Sequence, residues 1–382
     1  MLNPYSPQYP ADPEHFANRD EIITYFKSNV ISFAKTPQAK PMNFAILGDW
    51  GVGKTSLIYK FQQILTQEFS KQMKSFNFIF ALTPQVCENL DNFFQTFLNQ
   101  LKEEYTATAD IKDKLKSEIE KWTLTIKTPI ADATRKDSTT YFARDLENLW
   151  KNHLKAAKLD AAFLFLDDMH HFLPKQSGAY ETLRNVFQSL AMNGCKYSLI
   201  ITSPKIWFTD IADKAEPFVR FFHPFSLDSF NLDATREAIM RPLRSAGLEL
   251  NIQEKVISEV QKRTGGHPYF VIYTMRELLN HLGGKKQIEG NDFEKIWPKI
   301  ISSLEETKFS PDFGVASEEE KRTLQKIAKT HQEIVTPSMV GVKDRKVLSR
   351  LENKGLLVKI DRGKYKIYHP LFKEYIKKRA NI

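Results

Sequence analysis

The chain has 382 residues, of which 42% are hydrophobic and 26% are charged. These values are close to those of average globular proteins and exclude collagen-like, coiled-coil and disordered classes. At about 150 residues per domain, the length predicts two or three domains. The densest apolar run, residues 161–166, is far shorter than the ~18–20 residues of a membrane helix, and residues 1–20 lack the pattern of a signal peptide. We therefore expect a cytoplasmic protein with no membrane partner.

The positive charge is concentrated at one end of the sequence. The chain carries 55 basic and 46 acidic residues, a net charge of +9. Residues 317–382 contain 17 basic and 8 acidic residues and so account for the whole excess. This asymmetry predicts a C-terminal module with a partner of its own.

The first part of the chain has the pattern of a parallel α/β sheet. Residues 1–15 contain four prolines and predict an extended strap rather than a packed element. A helix is predicted at 20–34, and residues 106–140 are predicted to be a surface insertion. Buried strands are predicted at 42–47, 75–82, 161–166 and 197–202, and helices from Lys54 and at 91–105 and 141–157. Because strands alternate with helices, the sheet should be parallel.

Strand signals stop after Leu227. Helices at 233–246 (with Asp233 as N-cap), 252–263, 268–282 and 291–304 predict a small all-helical domain. Helices at 318–330, after Thr336-Pro337 and at 343–353, then a hairpin at 356–368 and a helix at 370–379, predict a winged helix-turn-helix. The predicted divisions are a strap and helix at 1–40, an α/β domain at 41–228, a helical domain at 229–312 and a winged helix at 313–382.

The segment Gly48-Asp49-Trp50-Gly51-Val52-Gly53-Lys54-Thr55 matches G-x-x-x-x-G-K-[ST] between a predicted strand and a predicted helix. Glycines let successive backbone N–H groups approach a phosphate, and the new helix directs its positive dipole end at the anion. Lys54 would reach the β- and γ-phosphates and Thr55 would bind Mg²⁺. The predicted nucleotide-binding residues of this segment are Gly48, Gly51, Val52, Gly53, Lys54, Thr55 and Ser56. ATP and Mg²⁺ are the predicted cofactors.

A P-loop predicts an acidic residue at the end of a buried strand. Residues 163–168 read FLFLDD, so Asp167 would bind Mg²⁺ through water and Asp168 would be the general base. An Asp base is shorter than the commoner Glu, which favours slow hydrolysis. Thr202 or Ser203 would place a polar group near the γ-phosphate, and we take Thr202 as the predicted sensor.

Taken together, several segments resemble the prokaryotic AAA+-like ATPases, in particular the STAND regulators and the archaeal ATPases related to origin-recognition and helicase-loader proteins. These segments are residues 3–5, 16–22, the P-loop, 166–170, 264–270 and the predicted winged helix. The resemblance implies an additional-strand sheet in the order 5-1-4-3-2 and a lid that closes over the nucleotide. It also implies an adenine pocket around Arg19, with Pro268 packed near the base.

Some positions depart from the pattern of these families. Asn18 replaces the usual glycine, which is acceptable because Asn also adopts left-handed backbone. Arg276 is only a loose candidate for a sensor-2 arginine, and Arg220 lies where some relatives have an arginine finger, although a solvated or core-capping Arg is favoured. Trp50 is also similar to KAP-type ATPases, but those carry membrane helices between the two motifs, so we set that resemblance aside.

Other residues with reactive side chains are predicted to be structural. His170 and His171 cannot ligate one metal from one helix face. Cys87 and Cys195 lack a nearby His or second Cys and are predicted to lie in the core.

Basic residues lie along the predicted recognition helix at 343–353 and the hairpin, or wing, at 356–368. They are Lys343, Arg345, Lys346, Arg350, Arg362, Lys364 and Lys366. Such a surface could neutralise several DNA phosphates, but winged helices in STAND relatives often pack on the ATPase or bind protein.

Three functions therefore stay open. The first is a STAND-like ATPase that switches a partner protein or its own assembly. The second is an initiator-like, loader-like or mobile-element ATPase that binds double-stranded DNA through residues 317–382. The third is a nucleotide binder without turnover.

Overall fold

The computed structural model describes residues 3–36, 38–108, 135–172, 178–342 and 344–381. Most of the predicted insertion and Lys343 lie outside the described residues. The chain divides into two compact units. The sheet unit comprises Arg19–Gly48 and Leu57–Leu227, and the lid unit comprises Met1–Asn18, Asp49–Ser56 and Asp228–Ile382. The predicted divisions at 40, 228 and 312 stay a proposal.

The sheet unit is built on five parallel strands in the order β2-β3-β4-β1-β5, which confirms the predicted order. The strands are β1 (Asn43–Leu47), β2 (Ser75–Ala81), β3 (Ala161–Asp167), β4 (Tyr197–Ser203) and β5 (Phe222–Ser226). The helices are α1 (Asp20–Lys35), α2 (Lys54–Gln63, of which the first three residues belong to the lid unit), α3 (Leu90–Thr108), α4 (Arg135–Asn148), α5 (Ala179–Met192) and α6 (Lys205–Val219). Strands β1, β3 and β4 are buried along their whole length, as expected for strands covered by helices on both faces.

Three elements of the sheet unit were not assigned from the sequence. Strand β5 contains Pro224, which cannot donate a ladder hydrogen bond, and it is tolerated because β5 is an edge strand that pairs with β1. Helix α5 was also missed. Helix α6 bends at Ala215, whose φ of −145° is non-helical, because Pro217 within the helix cannot donate the backbone hydrogen bond and its ring crowds the preceding turn.

The lid unit contains mostly helices. They are α7 (Leu232–Ser245), α8 (Glu254–Thr264), α9 (Pro268–His281), α10 (Gly290–Leu304), α11 (Ser310–Gly314), α12 (Glu318–Lys329), α13 (Arg345–Asn353) and α14 (Pro370–Ala380). The strands are β6 (Asn251–Ile252), β7 (Gln287–Ile288), β8 (Leu357–Asp361) and β9 (Lys364–Ile367). The all-helical prediction is wrong, because β6 and β7 form a short parallel pair. Asp233 is not the N-cap of α7; the Asn231 side chain accepts the Ala234 N–H at 2.8 Å.

The C-terminal segment follows the predicted order with one change. The antiparallel β8–β9 hairpin is present, and Gly363 at its tip has φ +72°. The predicted helix after Thr336-Pro337 is replaced by turns, and Val335 instead bridges to Tyr365 of β9. Gly341 has φ +61°, a left-handed conformation that interrupts a helix. The assignment of this segment as a winged helix stays a prediction.

Residues 3–15 of the N-terminal strap contain no helix or strand, but the start of this segment is packed, which corrects the prediction. Tyr5 is buried in the core of the lid unit, and its hydroxyl donates to the Ile239 carbonyl at 2.5 Å. The Asn3 side chain donates to the Arg276 carbonyl at 2.9 Å. The strap is therefore held to α7 and α9 by both apolar and polar contacts.

A buried carboxylate joins α12 to α13. Glu320 accepts hydrogen bonds from the Ser317 N–H at 2.7 Å, from Lys354 Nζ at 2.5 Å and from Arg350 Nε at 3.1 Å. Burial alone would raise the pKa of Glu320, but the hydrogen bonds from Lys354, Ser317 and Arg350 outweigh it and lower the pKa to about 2. Glu320 is thus ionised in the folded protein at any pH near neutral.

We predict that Glu320→Gln lowers the free energy of unfolding by roughly 1–3 kcal/mol at pH 7, because it weakens hydrogen bonds between charged groups in a buried site. Glu319→Gln is the matched control: Glu319 pairs with the same Arg350 at 2.7 Å but is exposed, so a cost below ~0.5 kcal/mol is expected. Since the folded pKa of Glu320 is depressed, the wild type loses this contribution as the pH falls from about 5 towards 2. Urea unfolding at pH 7 and pH 3 measures both effects. Equal losses of unfolding free energy for Glu320→Gln and Glu319→Gln at pH 7 would contradict the role assigned to Glu320.

Candidate nucleotide-binding site

The P-loop follows the carboxyl end of β1. The Gly48 N–H donates to the Ser203 carbonyl at 3.0 Å, so the loop starts at the edge where β1 and β4 both end. Beyond it, Gly51 and Gly53 have φ of +74° and +97°, a region that residues with a Cβ rarely adopt. Lys54 is the first residue of α2, and its ammonium group donates to the Asp49 carbonyl at 3.0 Å. This is the strand–loop–helix conformation that the motif predicts.

The two glycines have different surroundings. A Cβ at Gly51 would lie 2.8 Å from His267 Cε1 and 3.0 Å from Tyr269 Cβ. A Cβ at Gly53 would meet no atom of the described residues within 4 Å. The loop therefore has one face closed by the start of α9 and one open face at Gly53, where an anion could approach the helix N-terminus.

The closed face is held by hydrogen bonds to two loop carbonyls. His267 Nε2 lies 3.0 Å from the Trp50 carbonyl oxygen, and the Tyr269 N–H donates to the Gly51 carbonyl at 3.2 Å. The Trp50 ring packs against the Tyr269 ring with centroids 4.7 Å apart. Nearby, the backbone N–H of Ala11 in the strap donates to Ser56 Oγ at 3.0 Å.

The predicted acidic pair lies at the end of β3. Asp167 is buried, and Thr202 at the end of β4 donates its hydroxyl proton to Asp167 Oδ1 at 2.5 Å. The same Thr202 oxygen accepts the Asp168 N–H at 2.8 Å. Ser203, the alternative sensor, instead donates to the Pro204 carbonyl at 3.2 Å. Of the two candidates, Thr202 therefore contacts the acidic pair.

Asp168 differs from Asp167 in its backbone conformation and in the exposure of its side chain. Its φ of +61° is left-handed, a conformation that Asp tolerates better than most residues. Its side chain is 47% exposed, and Oδ1 lies 3.7 Å from His170 Nδ1. The sheet unit therefore presents one buried carboxylate bonded to Thr202 and one carboxylate open to water.

The sequence was compared with known protein families. A sequence model of the KAP family P-loop domain matches residues 24–308. The chain belongs to the KAP family. It is therefore a P-loop NTPase, and the match contains the P-loop, both aspartates, Thr202 and the start of α9. No curated protein sequence matches the chain.

Membership of the KAP family corrects one step of the sequence analysis. The KAP resemblance of Trp50 was set aside because membrane helices are missing between the motifs, and the family match shows that this reasoning was wrong. Within the described parts of the chain, no helix is both long enough and apolar enough to cross a membrane.

Solved structures with the same fold support the architecture of this KAP chain. A Walker-type ATPase of Pyrococcus abyssi is 14% identical with a TM-score of 0.57, over 95% of this chain and 96% of that one. The ORC2 protein of Aeropyrum pernix, solved in ADPNP–ADP complexes, is 12% identical with a TM-score of 0.58, over 100% and 98%. The ORC1 protein of Aeropyrum pernix, solved in complex with DNA, is 12% identical with a TM-score of 0.50, over 96% and 93%. At these identities the similarity establishes the fold alone.

The remaining predicted site residues of the KAP chain differ in backbone conformation, burial and partners. Arg19 has φ +71° and Asn18 φ +64°, so Asn18 is left-handed as predicted. Pro268 is buried at the first turn of α9. Arg276 donates to Gln8 Oε1 at 3.1 Å in the strap. Arg220 is 76% exposed and pairs with Glu216 at 2.6 Å. The nucleotide roles of Arg19, Pro268, Arg276 and Arg220 stay predictions.

The two cysteines are buried and free, as predicted. Burial raises the pKa of the Cys87 thiol to about 12, so it carries no thiolate at neutral pH. His267 is the residue of this KAP site that sequence reasoning passed over. It lies within residues 264–270, one of the segments that carry the family resemblance, but nothing in the sequence indicated that its ring reaches the P-loop.

We predict that Thr202→Val lowers the free energy of unfolding by roughly 1–3 kcal/mol, because the Asp168 N–H and the Asp167 carboxylate both lose a buried partner. Thr202→Ser keeps the hydroxyl and loses only a methyl group, so a cost below about 1.5 kcal/mol is expected. Denaturant unfolding of the two variants measures the difference. A Val variant as stable as the Ser variant would show that the hydroxyl bonds contribute nothing.

Proposed function

We propose that this KAP chain binds ATP with Mg²⁺, hydrolyses it slowly and uses the nucleotide state to switch a partner protein or its own assembly. The observation that carries the proposal is the P-loop itself. It combines left-handed Gly51 and Gly53, an open face at Gly53 and Lys54 at the start of a ten-residue helix. This arrangement supplies backbone N–H groups, a helix dipole and a cation to the same anion.

In the proposed complex, Lys54 binds the β- and γ-phosphates, and the backbone of Gly48, Gly51, Val52, Gly53 and Ser56 surrounds them. Arg19 and Pro268 contribute to the adenine pocket. The phosphate assignments rest on the sequence motif and on the open loop face, and the adenine assignments rest on the family resemblance.

Mg²⁺ would be held by oxygen ligands from Thr55 and Asp167, the donor type that this ion prefers. Among the described residues, no group of three or more His, Cys, Asp or Glu could hold a metal ion. Mg²⁺ does not require such a group, because it usually keeps several waters and binds nucleotide phosphates directly. When bound, the ion neutralises charge that develops on the phosphoryl oxygens.

Hydrolysis is assigned to Asp168 as general base and Thr202 as sensor. Asp168 is half exposed, so its carboxylate is open to a water molecule, whereas Asp167 is buried. Thr202 holds the Asp168 N–H and the Asp167 carboxylate at the same time. The hydroxyl thereby fixes the relative position of the two acids, which supports the division of roles between them.

A switching role is supported by the way the lid unit is composed. P-loop residues Asp49–Ser56 belong to the same compact unit as the strap and residues 228–382. A ligand that favours one loop conformation therefore acts directly on this unit, because the loop is packed within it.

We predict that Lys54→Ala abolishes measurable ATP binding, because the loop loses its only charged phosphate ligand within the motif. Lys60→Ala, on the same helix but bonded to Gln63 at 2.7 Å, is the control and should bind like the wild type. Asp168→Asn should keep binding within about threefold but lower phosphate release by about 10²-fold. Calorimetry and a phosphate-release assay measure these values. Binding by Lys54→Ala at wild-type affinity would refute the site.

Double-stranded DNA is the second candidate partner, and a specific observation favours it. Arg345 and Lys346 at the start of α13 and Arg362 at the hairpin tip are exposed, and none of the three forms an ion pair with a described residue. Three others of the predicted set are already in ion pairs. Arg350 pairs with Glu319 and Glu320, Lys364 with Asp361 and Lys366 with Glu333, while Lys343 lies outside the described residues.

If DNA binds here, Arg345→Ala with Lys346→Ala should reduce the slope of log K against log salt by roughly 2, because two phosphate contacts are lost. Lys377→Ala with Lys378→Ala is the control, since both lysines on α14 are already paired with Glu374 and Glu305. Fluorescence anisotropy across a salt series measures both slopes. No wild-type binding at 50 mM salt (an assay condition at which phosphate contacts are strong) would remove DNA as a partner.

A further inference from the structure

Two carbonyl groups of the P-loop are bonded to the start of α9. Trp50 O lies 3.0 Å from His267 Nε2, and Gly51 O accepts the Tyr269 N–H at 3.2 Å. Carbonyls of a phosphate-binding loop repel an anion, so their direction matters as much as that of the N–H groups.

These bonds set the direction of the neighbouring N–H groups. In a trans peptide the C=O and N–H bonds point in opposite directions, and no peptide bond among the described residues is cis. Drawing the Trp50 and Gly51 carbonyls towards α9 therefore turns the Gly51 and Val52 N–H groups away from α9. Successive N–H groups turned to one side form the concave nest that binds phosphate.

The structure also fixes which form of His267 makes the contact. A carbonyl oxygen only accepts hydrogen bonds, so Nε2 must carry the proton. His267 is buried, and burial lowers its pKa to about 4, so the ring is neutral near pH 7. Nδ1 is buried and has no hydrogen-bond partner among the described residues. The ring thus makes one directed bond, to the P-loop.

The Trp50 side chain gives the loop a second anchor. Its ring packs on Tyr269, and the Lys308 ammonium lies 4.1 Å from its centroid. Lys308 pairs in turn with Asp312 at 2.9 Å. The indole therefore contacts both an aromatic ring and a cation, and these contacts help to restrain the Trp50 residue whose carbonyl meets His267.

We propose that His267 is a positioning residue for nucleotide binding, holding the P-loop with its N–H groups turned to the phosphates through the bond to the Trp50 carbonyl. The proposal rests on the proposed ATP-binding function and adds that phosphate affinity is set by the first residues of α9. Gly51 is required for the same reason, because a Cβ would collide with the His267 ring.

The test compares His267→Leu, which removes the donor, with His267→Gln, whose amide can donate from a similar distance. Calorimetry with a non-hydrolysable ATP analogue should show that the Leu variant binds the analogue roughly fivefold to tenfold more weakly than the wild type, which is the effect of one hydrogen bond. The Gln variant should recover affinity to within about twofold. AMP, which lacks the β- and γ-phosphates, should bind all three proteins equally.

Thr274→Val is the matched control. Thr274 is a buried polar residue on the same helix whose hydroxyl has no hydrogen-bond partner among the described residues. The Thr274→Val protein should therefore bind the analogue with the affinity of the wild type. Thermal melting without nucleotide shows whether each variant is folded. Unchanged analogue affinity in a folded Leu variant, an equal loss in the Gln variant or a parallel loss for AMP would each overturn the role of His267. Failure of the wild type to bind the analogue would instead overturn the proposed function itself.

Discussion

The hydrogen bonds from α9 to the Trp50 and Gly51 carbonyls are the constraint on which the proposed site depends. A glycine-rich loop has wide conformational freedom, so contacts from outside the loop are needed to restrict its shape. The bonds from His267 and the Tyr269 N–H supply that restraint. They also explain why Gly51 is a glycine, because the His267 ring occupies the space that a Cβ would need.

A second constraint lies in the sheet unit, where one hydroxyl connects two strands. The parallel register places Leu166 beside Ile201, so Asp167 and Thr202 are at the same level at the carboxyl edge. Thr202 can then donate to Asp167 and accept from the Asp168 N–H. The result is two adjacent carboxylates with different environments, one buried and one exposed, and such pairs are suited to different chemical roles.

The sequence predicted the sheet unit better than the lid unit. Buried parallel strands are continuous apolar runs, and β1 to β4 were located within two residues. Strand β5 was missed because Pro224 and His223 interrupt its pattern, and its edge position makes the proline acceptable. In the lid unit the strap was expected to be unpacked, since four prolines dominate its composition. Only the tertiary structure reveals that Tyr5 is buried among residues more than 200 positions away.

The sequence by itself determined the P-loop, the acidic pair after β3 and the strand order implied by the family resemblance. The P-loop and the acidic pair are local patterns, in which residue spacing and backbone freedom indicate the chemistry, whereas the strand order came from the family resemblance. The tertiary structure decided which groups satisfy one another: His267 with Trp50, Thr202 with the two aspartates, and Glu320 with Arg350 and Lys354. Long-range partners depend on packing between distant segments, and a single sequence does not record that packing.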